Sequence, residues 1–254
     1  MAETVYVGLN RLISFTSAEG IRRSDPNKRL TPGTHSFSAV IMGLEEMTSY
    51  YYSVGKASEM VRSFTVPPSS SHPLTFGVVG DLGLYYSAPF VRQALIQDHS
   101  LDVMIIPGDI SYADGNAAKW DRFMDLFEPL FSRLPLLVEP GNHETIDEHY
   151  VWEDREYGAY LARFNTETLA SNSNSSSPLY YSVDVAGVHF VFVNAEFDRS
   201  SFQPGQAQHE WIRADLEAAA ARRAQDPLRY PWIVVVQHRN MYSSTVASES
   251  CWEF

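Results

Sequence analysis

The chain has 254 residues, of which 44% are hydrophobic and 20% are charged, which is ordinary for a globular protein with one or two domains. Its net charge of −12 argues against a nucleic-acid partner, which needs a basic face, but leaves an anionic substrate open because a bound metal can reverse the local field. Cys251 is the single cysteine, so no intrachain disulfide is predicted. The sequence indicates neither a signal peptide nor an apolar run long enough to span a membrane, so no membrane partner is predicted.

Residues 1–66 predict a small all-β segment. Four stretches rich in β-branched and aromatic residues are predicted strands: residues 4–7, 12–15, 36–41 and 50–54. The run 44–52, in which tyrosines follow a turn, resembles the corner of a fibronectin type III sandwich. A complete sandwich needs about seven strands and about 100 residues, so we expect only part of one.

From residue 74 the pattern changes to alternating strands and helices. Prolines and serines in residues 67–73 predict an extended linker at the boundary. Three apolar stretches beyond it are predicted strands: 74–79, 102–107 and 136–138. Two helices are predicted between them, one over residues 87–98 and one along an apolar stripe from Trp120 to Leu134 that Pro135 ends. This order predicts an α/β fold with parallel strands.

The remaining residues predict a sheet that is not purely parallel. Residues 145–178 are polar and aromatic, and the low-complexity, serine-rich piece 171–177 near their end predicts an exposed loop. Residues 179–193 alternate around a central Ala-Gly pair and predict a β-hairpin. A helix over residues 204–223 and a strand over residues 232–236 follow.

Four of the predicted strands are followed by side chains that can bind a metal: Asp81, Asp109, Asn142 and His238. Carboxylate and amide oxygens suit hard cations, and imidazole suits zinc, iron and similar ions. A single aspartate in this position is often a helix cap, but capping does not explain all four in one α/β unit. In open α/β sheets, ligands bind at the carboxyl ends of the strands. The pattern therefore predicts a metal site there.

These residues lie in four short motifs. They are Asp-x-Gly at 81–83, Gly-Asp-x-x-Tyr at 108–112, Gly-Asn-His-Glu at 141–144 and Val-x-x-His at 235–238. In this order they resemble the first four signature motifs of the purple acid phosphatases, a family of calcineurin-like metallophosphoesterases. The resemblance implies an α/β metallophosphoesterase sandwich with a βαβαβ core. It also implies that the segment before it is the fibronectin III-like domain of plant-type members.

The resemblance also implies a dinuclear centre of Fe(III) and a divalent ion, which is Zn, Mn or Fe in the family. Asp81 and Tyr112 would bind Fe(III), and the tyrosine would cause the colour. Asp109 would bridge both ions, because a bridging carboxylate offsets their mutual repulsion. Asn142 and His238 would bind the divalent ion.

The activity implied is the hydrolysis of phosphate monoesters by metal-bound hydroxide at acid pH. The substrates would be small-molecule phosphate esters, and His143 would bind the substrate or protonate the leaving group. The family also suggests a secreted or vacuolar protein and leaves a homodimer open. Asn174 begins an Asn-Ser-Ser sequon, which is a glycosylation site if the chain is secreted.

The sequence departs from the family pattern in one respect. The fifth motif, Gly-His-x-His, supplies the last two histidine ligands and does not occur here. We therefore expect a chain truncated at both ends, with residues 74–254 forming a phosphoesterase domain that lacks its C-terminal part. Two alternatives stay open: a phosphodiesterase or nucleotide pyrophosphatase on the same scaffold, and an inactive truncated form.

Overall fold

The structure is a computed structural model. It describes residues 4–8, 16–19, 21–23, 36–54, 61–68, 72–85, 88–145, 157–196 and 199–241. The strand predicted over residues 12–15 lies outside the described residues. In the described part of the chain, no helix is both long and apolar enough to cross a membrane.

The N-terminal segment consists of short strands, as predicted. Four of them form an antiparallel sheet in the order β2-β1-β5-β6: β1 (Thr4–Gly8), β2 (Thr16–Glu19), β5 (Ser49–Val54) and β6 (Arg62–Thr65). Two more, β3 (Ile21–Arg23) and β4 (Ser36–Ser38), pair with each other. The hydroxyl of buried Tyr50 accepts a hydrogen bond of 2.9 Å from the backbone N–H of Glu45, as in the tyrosine corner of β-sandwiches. The fibronectin-like assignment itself stays a prediction.

A parallel sheet begins the second region. Its order is β7-β8-β9, formed by β7 (Phe76–Val78), β8 (Val103–Pro107) and β9 (Leu136–Glu139). Helices α1 (Ala88–Gln97) and α2 (Ala117–Phe131) connect these strands. The apolar residues of β8 are fully buried because this central strand is covered on both faces. The predicted alternation of strand and helix is confirmed.

The second sheet is mixed, as predicted. Its order is β10-β11-β12, formed by β10 (Tyr181–Val185), β11 (Val188–Phe192) and β12 (Trp232–Val236). The first two strands form an antiparallel hairpin, and α5 (Ala207–Gln225) crosses over to β12, which runs parallel to β11. Ala186 and Gly187 have φ values of +49° and +78°, which suit the tight turn of the hairpin.

The two sheets pack face to face. Val103 and Ile105 of β8 lie against Phe190 and Phe192 of β11. The outer face of the first sheet packs on α1 and α2, and Trp211 of α5 packs on the outer face of the second. Four layers result, and the fourth predicted ligand, His238, comes from the second sheet. The sequence did not indicate this division.

His189 links the second sheet to α5. Its Nδ1 lies 2.6 Å from a carboxylate oxygen of Asp184, and its Nε2 lies 2.8 Å from one of Asp215. Burial acts to lower the pKa of His189, but the two aspartates outweigh it and raise the pKa to about 9.

One prediction about local structure is wrong, and two helices were not predicted. Helix α2 ends at Phe131, with Ser132 as its C-cap, rather than at Pro135. Ahead of the serine-rich piece, which lies in turns from residue 173 onward, the chain forms two helices, α3 (Gly158–Arg163) and α4 (Thr166–Asn172). Each has only six or seven residues, so periodicity over a long window did not reveal them.

Candidate metal centre

Loops from four strands meet at one edge of the sandwich. Asp81 follows β7, Asp109 follows β8, the 3-10 turn Asn142–Glu144 follows β9, and His238 follows β12. Ligand atoms of Asp81, Asp109 and His238 all lie within 4.8 Å of one another. The structure therefore brings together the side chains that the sequence predicted for the site.

The backbone at this edge is left-handed at four residues other than glycine. Asp81 has a φ of +53°, Asp109 of +50°, and Tyr112 and Asp114 of +51°. This conformation is uncommon for such residues and turns the chain sharply after each strand. The abrupt stop of the apolar runs in the sequence corresponds to these turns.

Two glycines allow the loops to approach one another. Gly108 has a φ of +82°, and a Cβ there would lie 2.4 Å from Nδ1 of His238. A Cβ at Gly141 would lie 2.2 Å from Oδ1 of Asp109. Both spacings are shorter than any real contact, so the glycines of these two motifs are required by close packing.

Asp109 lies at the centre of the cluster and is 3% exposed. Its Oδ1 accepts a hydrogen bond of 2.9 Å from the backbone N–H of His143 and lies 3.4 Å from Nε2 of His238. Burial acts to raise the pKa of Asp109, but the neighbouring His238 outweighs it and holds the pKa below its usual value. The side chain is therefore a carboxylate that lies between the backbone N–H of His143 and the imidazole of His238.

Tyr112 lies beside the Asp81 carboxylate, to which its hydroxyl donates a hydrogen bond. Its ring packs against Tyr85 at 4.8 Å and against His143 at 4.2 Å between centroids. Burial, together with the hydrogen bond to Asp81, raises the pKa of Tyr112 far above that of a free phenol. The ring of Tyr112 is thus packed against two aromatic neighbours with its hydroxyl directed at Asp81.

His238 is held by two hydrogen bonds. Its backbone N–H donates to Oε1 of Glu139 at 2.9 Å, and its ring Nδ1–H donates to the backbone carbonyl of Pro107 at 3.0 Å. These contacts direct Nε2 toward Asp109 and toward Oδ1 of Asn142, which is 3.2 Å away. A second hydrogen bond of this kind sets the orientation of metal-binding histidines.

Three acidic residues of the site had no predicted role: Asp114, Glu139 and Glu144. Asp114 accepts a hydrogen bond of 2.5 Å from Nδ1 of His143 and so fixes its tautomer. Glu139, at the end of β9, is fully buried and holds His238. Their sequence signal is their position: Glu144 ends the motif 141–144, Glu139 precedes that motif by two residues, and Asp114 follows the motif 108–112 by two.

Glu144 braces the loops from inside. Its carboxylate accepts hydrogen bonds from the backbone N–H groups of Asp109, Ile110 and Gly141, at 2.9, 3.0 and 2.8 Å. Burial, with the charge of Asp109 adding to it, raises the pKa of Glu144 to about 8.

The donor set suits metal ions. Two carboxylates and an amide oxygen are ligands for hard cations, a phenol suits Fe(III), and an imidazole suits Zn or Fe. A cation at this edge would be attracted by the carboxylate oxygens of Asp81 and Asp109 and would offset their mutual repulsion. Among the residues that the structure describes, one histidine, His238, joins the cluster.

Comparisons with known proteins agree with this geometry. Residues 74–254 match the model of the calcineurin-like phosphoesterase family. The chain is 38% identical over 210 residues to purple acid phosphatase 22 of Arabidopsis thaliana. This match covers 81% of the chain and 44% of that protein. The chain is 37% identical over 206 residues to purple acid phosphatase 21 of the same plant, covering 80% and 43%. The chain thus spans less than half the length of these relatives.

A solved structure shows the same fold. The purple acid phosphatase PPD1 from yellow lupin seeds superposes with a TM-score of 0.75 at 18% sequence identity. The match covers 97% of this chain and 47% of the lupin chain. At this identity the likeness shows the fold, and it confirms the predicted α/β sandwich of the phosphoesterases.

Proposed function

Because the chain belongs to the calcineurin-like phosphoesterase family, we propose that it hydrolyses phosphate monoesters at a dinuclear metal centre. Five side chains would hold the ions: Asp81, Asp109, Tyr112, Asn142 and His238. The observation that carries the proposal is the position of Asp109. Its ligand atom lies within 4.8 Å of those of both Asp81 and His238, and His238 in turn contacts Asn142, which is the arrangement expected around a bridging ligand.

The other proposed ligands fall into two pairs that differ in chemistry, which supports different ions. Asp81 and Tyr112 would offer oxygen donors to Fe(III), whereas Asn142 and His238 would offer an amide oxygen and an imidazole to Zn, Mn or Fe(II). When bound, two cations would neutralise the phosphate ester and clamp its in-line displacement.

His143 is the proposed catalytic residue. Asp114 fixes its Nδ1–H, and its Nε2 lies 3.8 Å from Oδ2 of Asp109, at the edge of the centre. A histidine in this position would bind the phosphate or protonate the leaving group. Its ring is oriented by Asp114, which is not among the proposed ligands.

The metal assignment can be tested by colour and metal content. We expect the purified chain, loaded with iron and zinc, to show a visible charge-transfer band and to hydrolyse a phosphate monoester at acid pH. The variant Tyr112→Phe should lose the band. Tyr85→Phe is the matched control, since its ring contacts Tyr112 but lies outside the proposed ligands. A colourless protein with stoichiometric Zn or Mn would refute the Fe(III) assignment and leave a phosphoesterase of another metal type.

A second candidate is a non-catalytic protein that binds phosphate or a partner. The 254 residues contain no Gly-His-x-His motif, so the residues present would offer each ion one imidazole fewer than the family pattern does. Turnover with two bound metals per chain would refute it. Comparing a monoester with a diester in the same assay would separate the monoesterase from a phosphodiesterase or nucleotide pyrophosphatase.

A secreted or vacuolar location, with glycosylation at Asn174, is part of the proposal. Asn174 is exposed in the turn after α4, where a glycan could be attached. For protein made in plant cells, treatment with a glycosidase should increase its gel mobility, and the variant Asn174→Gln should show no such change.

A further inference from the structure

The residue after His238 is an arginine that is held in place by an acidic partner. Nε of Arg239 lies 2.7 Å from Oε1 of Glu196, and its Nη2 lies 3.1 Å from Oε2. Glu196 lies in the turn after β11, and its side chain is 8% exposed. Two parallel hydrogen bonds of this kind fix both the position and the plane of a guanidinium.

The same guanidinium reaches the proposed metal centre. Its Nη2 donates a hydrogen bond of 2.9 Å to Oδ1 of Asn142, the oxygen that lies 3.2 Å from Nε2 of His238. An arginine side chain stays protonated in proteins. A permanent positive charge therefore lies at the rim of the carboxylate cluster.

A fixed positive charge at the rim would add to that of the two ions in attracting a phosphate ester. The chain is strongly acidic overall, and Asp114 lies beside the centre without being a proposed ligand, so negative charge remains near the site. The pair with Glu196 occupies the Nε edge of Arg239. The other edge carries the Nη1 donors, and the side chain is 28% exposed. A guanidinium edge matches the spacing of phosphate oxygens.

We propose that Arg239, held by Glu196, recognises the substrate by donating hydrogen bonds to an oxygen of its phosphate group. The inference deepens the proposed function and rests on it, since it names the group that selects an anionic ester at that site. Glu196 is a positioning residue in this scheme, because it acts through Arg239. The contact of Arg239 with Asn142 places the guanidinium close enough to serve the same pocket as the ligands.

Inorganic phosphate is the probe for this inference, with the 254-residue chain loaded with iron and zinc. Three quantities are measured: phosphate affinity by calorimetry, metal content, and the KM and kcat of a phosphate monoester. For Arg239→Met we expect phosphate affinity to fall roughly tenfold to a hundredfold and KM to rise by a similar factor, the range for a lost hydrogen bond to a charged group. Metal content should stay that of the wild type.

The matched control is Arg213→Met on α5. Arg213 is also paired with a glutamate, at 2.7 Å from Glu210, but it lies outside the centre. It should leave phosphate affinity and KM unchanged. Glu196→Gln, which weakens the clamp but keeps Arg239, should lower phosphate affinity by several-fold, which is less than the effect of Arg239→Met.

The outcomes separate this inference from the proposed function. If the wild type turns over the monoester and Arg239→Met keeps its phosphate affinity and KM, the inference is wrong and the function stands. If metal content falls in Arg239→Met while phosphate affinity per loaded site is unchanged, Arg239 holds Asn142 instead, and the inference is also wrong. If the wild type binds phosphate without turnover, and Arg239→Met loses that binding, the inference stands and the function fails. A wild type that does neither refutes both.

Discussion

The two sheets contribute different parts of the candidate centre, called here its first half and its second half. The first sheet supplies Asp81, Asp109 and Asn142 on loops that are braced from within, because Glu144 belongs to the same motif as Asn142 and bonds three backbone N–H groups there. The second sheet supplies His238. That histidine is held by Glu139 and by the carbonyl of Pro107, which lie 99 and 131 residues away in the chain.

This difference separates local from long-range construction. The first half needs only the parallel sheet and its own loops, so its geometry is encoded close to the motifs. The second half takes its place only when the two sheets have packed, because both of its tethers come from the first sheet. Changes that loosen the packing of the sheets should therefore affect His238 before they affect Asp109.

The largest expected effect comes from removing the internal brace of the first half. We expect Glu144→Ala to lower the free energy of unfolding by about 3–5 kcal/mol, because three buried N–H groups lose their acceptor. Denaturant unfolding measures this. Glu144→Gln is the control and should lose about 1–3 kcal/mol, since an amide offers a single oxygen. A loss below about 1 kcal/mol for Glu144→Ala would contradict the role of Glu144.

The junction between the halves can be broken at Gly108. We expect Gly108→Ala to destabilise the fold by about 2–4 kcal/mol, because its Cβ would overlap the imidazole of His238 in a left-handed backbone. Gly43→Ala is the matched control: Gly43 has a φ of +75° and nothing within 4 Å of the added Cβ, so it should lose only about 1–2 kcal/mol. Equal losses of stability in the two variants would show that overlap with His238 adds nothing to the cost of Gly108→Ala.

The second sheet has its own titrating contact, at His189. Its pKa in the folded protein, about 9, is above the unfolded value of 6.5, so its contribution to stability is complete below pH 6.5 and is lost as the pH rises through about 9. We expect the free energy of unfolding to fall by about 3 kcal/mol over this interval. Urea unfolding at stepped pH measures it. In His189→Gln this part of the slope should disappear; identical slopes in both proteins would argue against the contact.

The smallest expected effect concerns Glu139. Its Oε1 accepts one hydrogen bond from His238, and its Oε2 has no hydrogen-bond partner in the described part of the protein. Burial raises the pKa of Glu139 well above its usual value. We expect Glu139→Gln to change stability by less than about 1 kcal/mol, because an amide oxygen can replace the one acceptor that is used. A loss as large as that of Glu144→Gln would show that the site of Glu139 tolerates an amide no better than the site of Glu144 does.

The sequence predicted the ligand candidates because each one follows an apolar strand. Parallel strands carry their carboxyl ends to one edge, so the order of strands and helices in the sequence is enough to place Asp81, Asp109 and Asn142 together. The hairpin at Ala186 and Gly187 was predicted for a similar reason, since its turn residues and flanking alternation are local signals.

The residues that the sequence did not predict act through tertiary contacts. Glu139 looks like the polar end of a strand, and only the packing of the two sheets brings His238 to it. Glu196 lies 43 residues from Arg239, so no local pattern joins them. Helices α3 and α4 were missed because they are stabilised by burial of residues such as Tyr157 and Tyr160 rather than by a long periodic stripe.

The left-handed backbone at Asp81, Asp109, Tyr112 and Asp114 affects how a cation would enter. Each such residue costs about 1–2 kcal/mol relative to the right-handed conformation, and the packed strands behind the loops offset that cost. Loops held in this way form a stiff set of donors. Selectivity then depends on ionic radius and preferred coordination, since a stiff set of donors adapts poorly to an ion of another size. The rate of exchange would be governed by dehydration of the incoming ion and release of individual ligand atoms, rather than by opening of the fold.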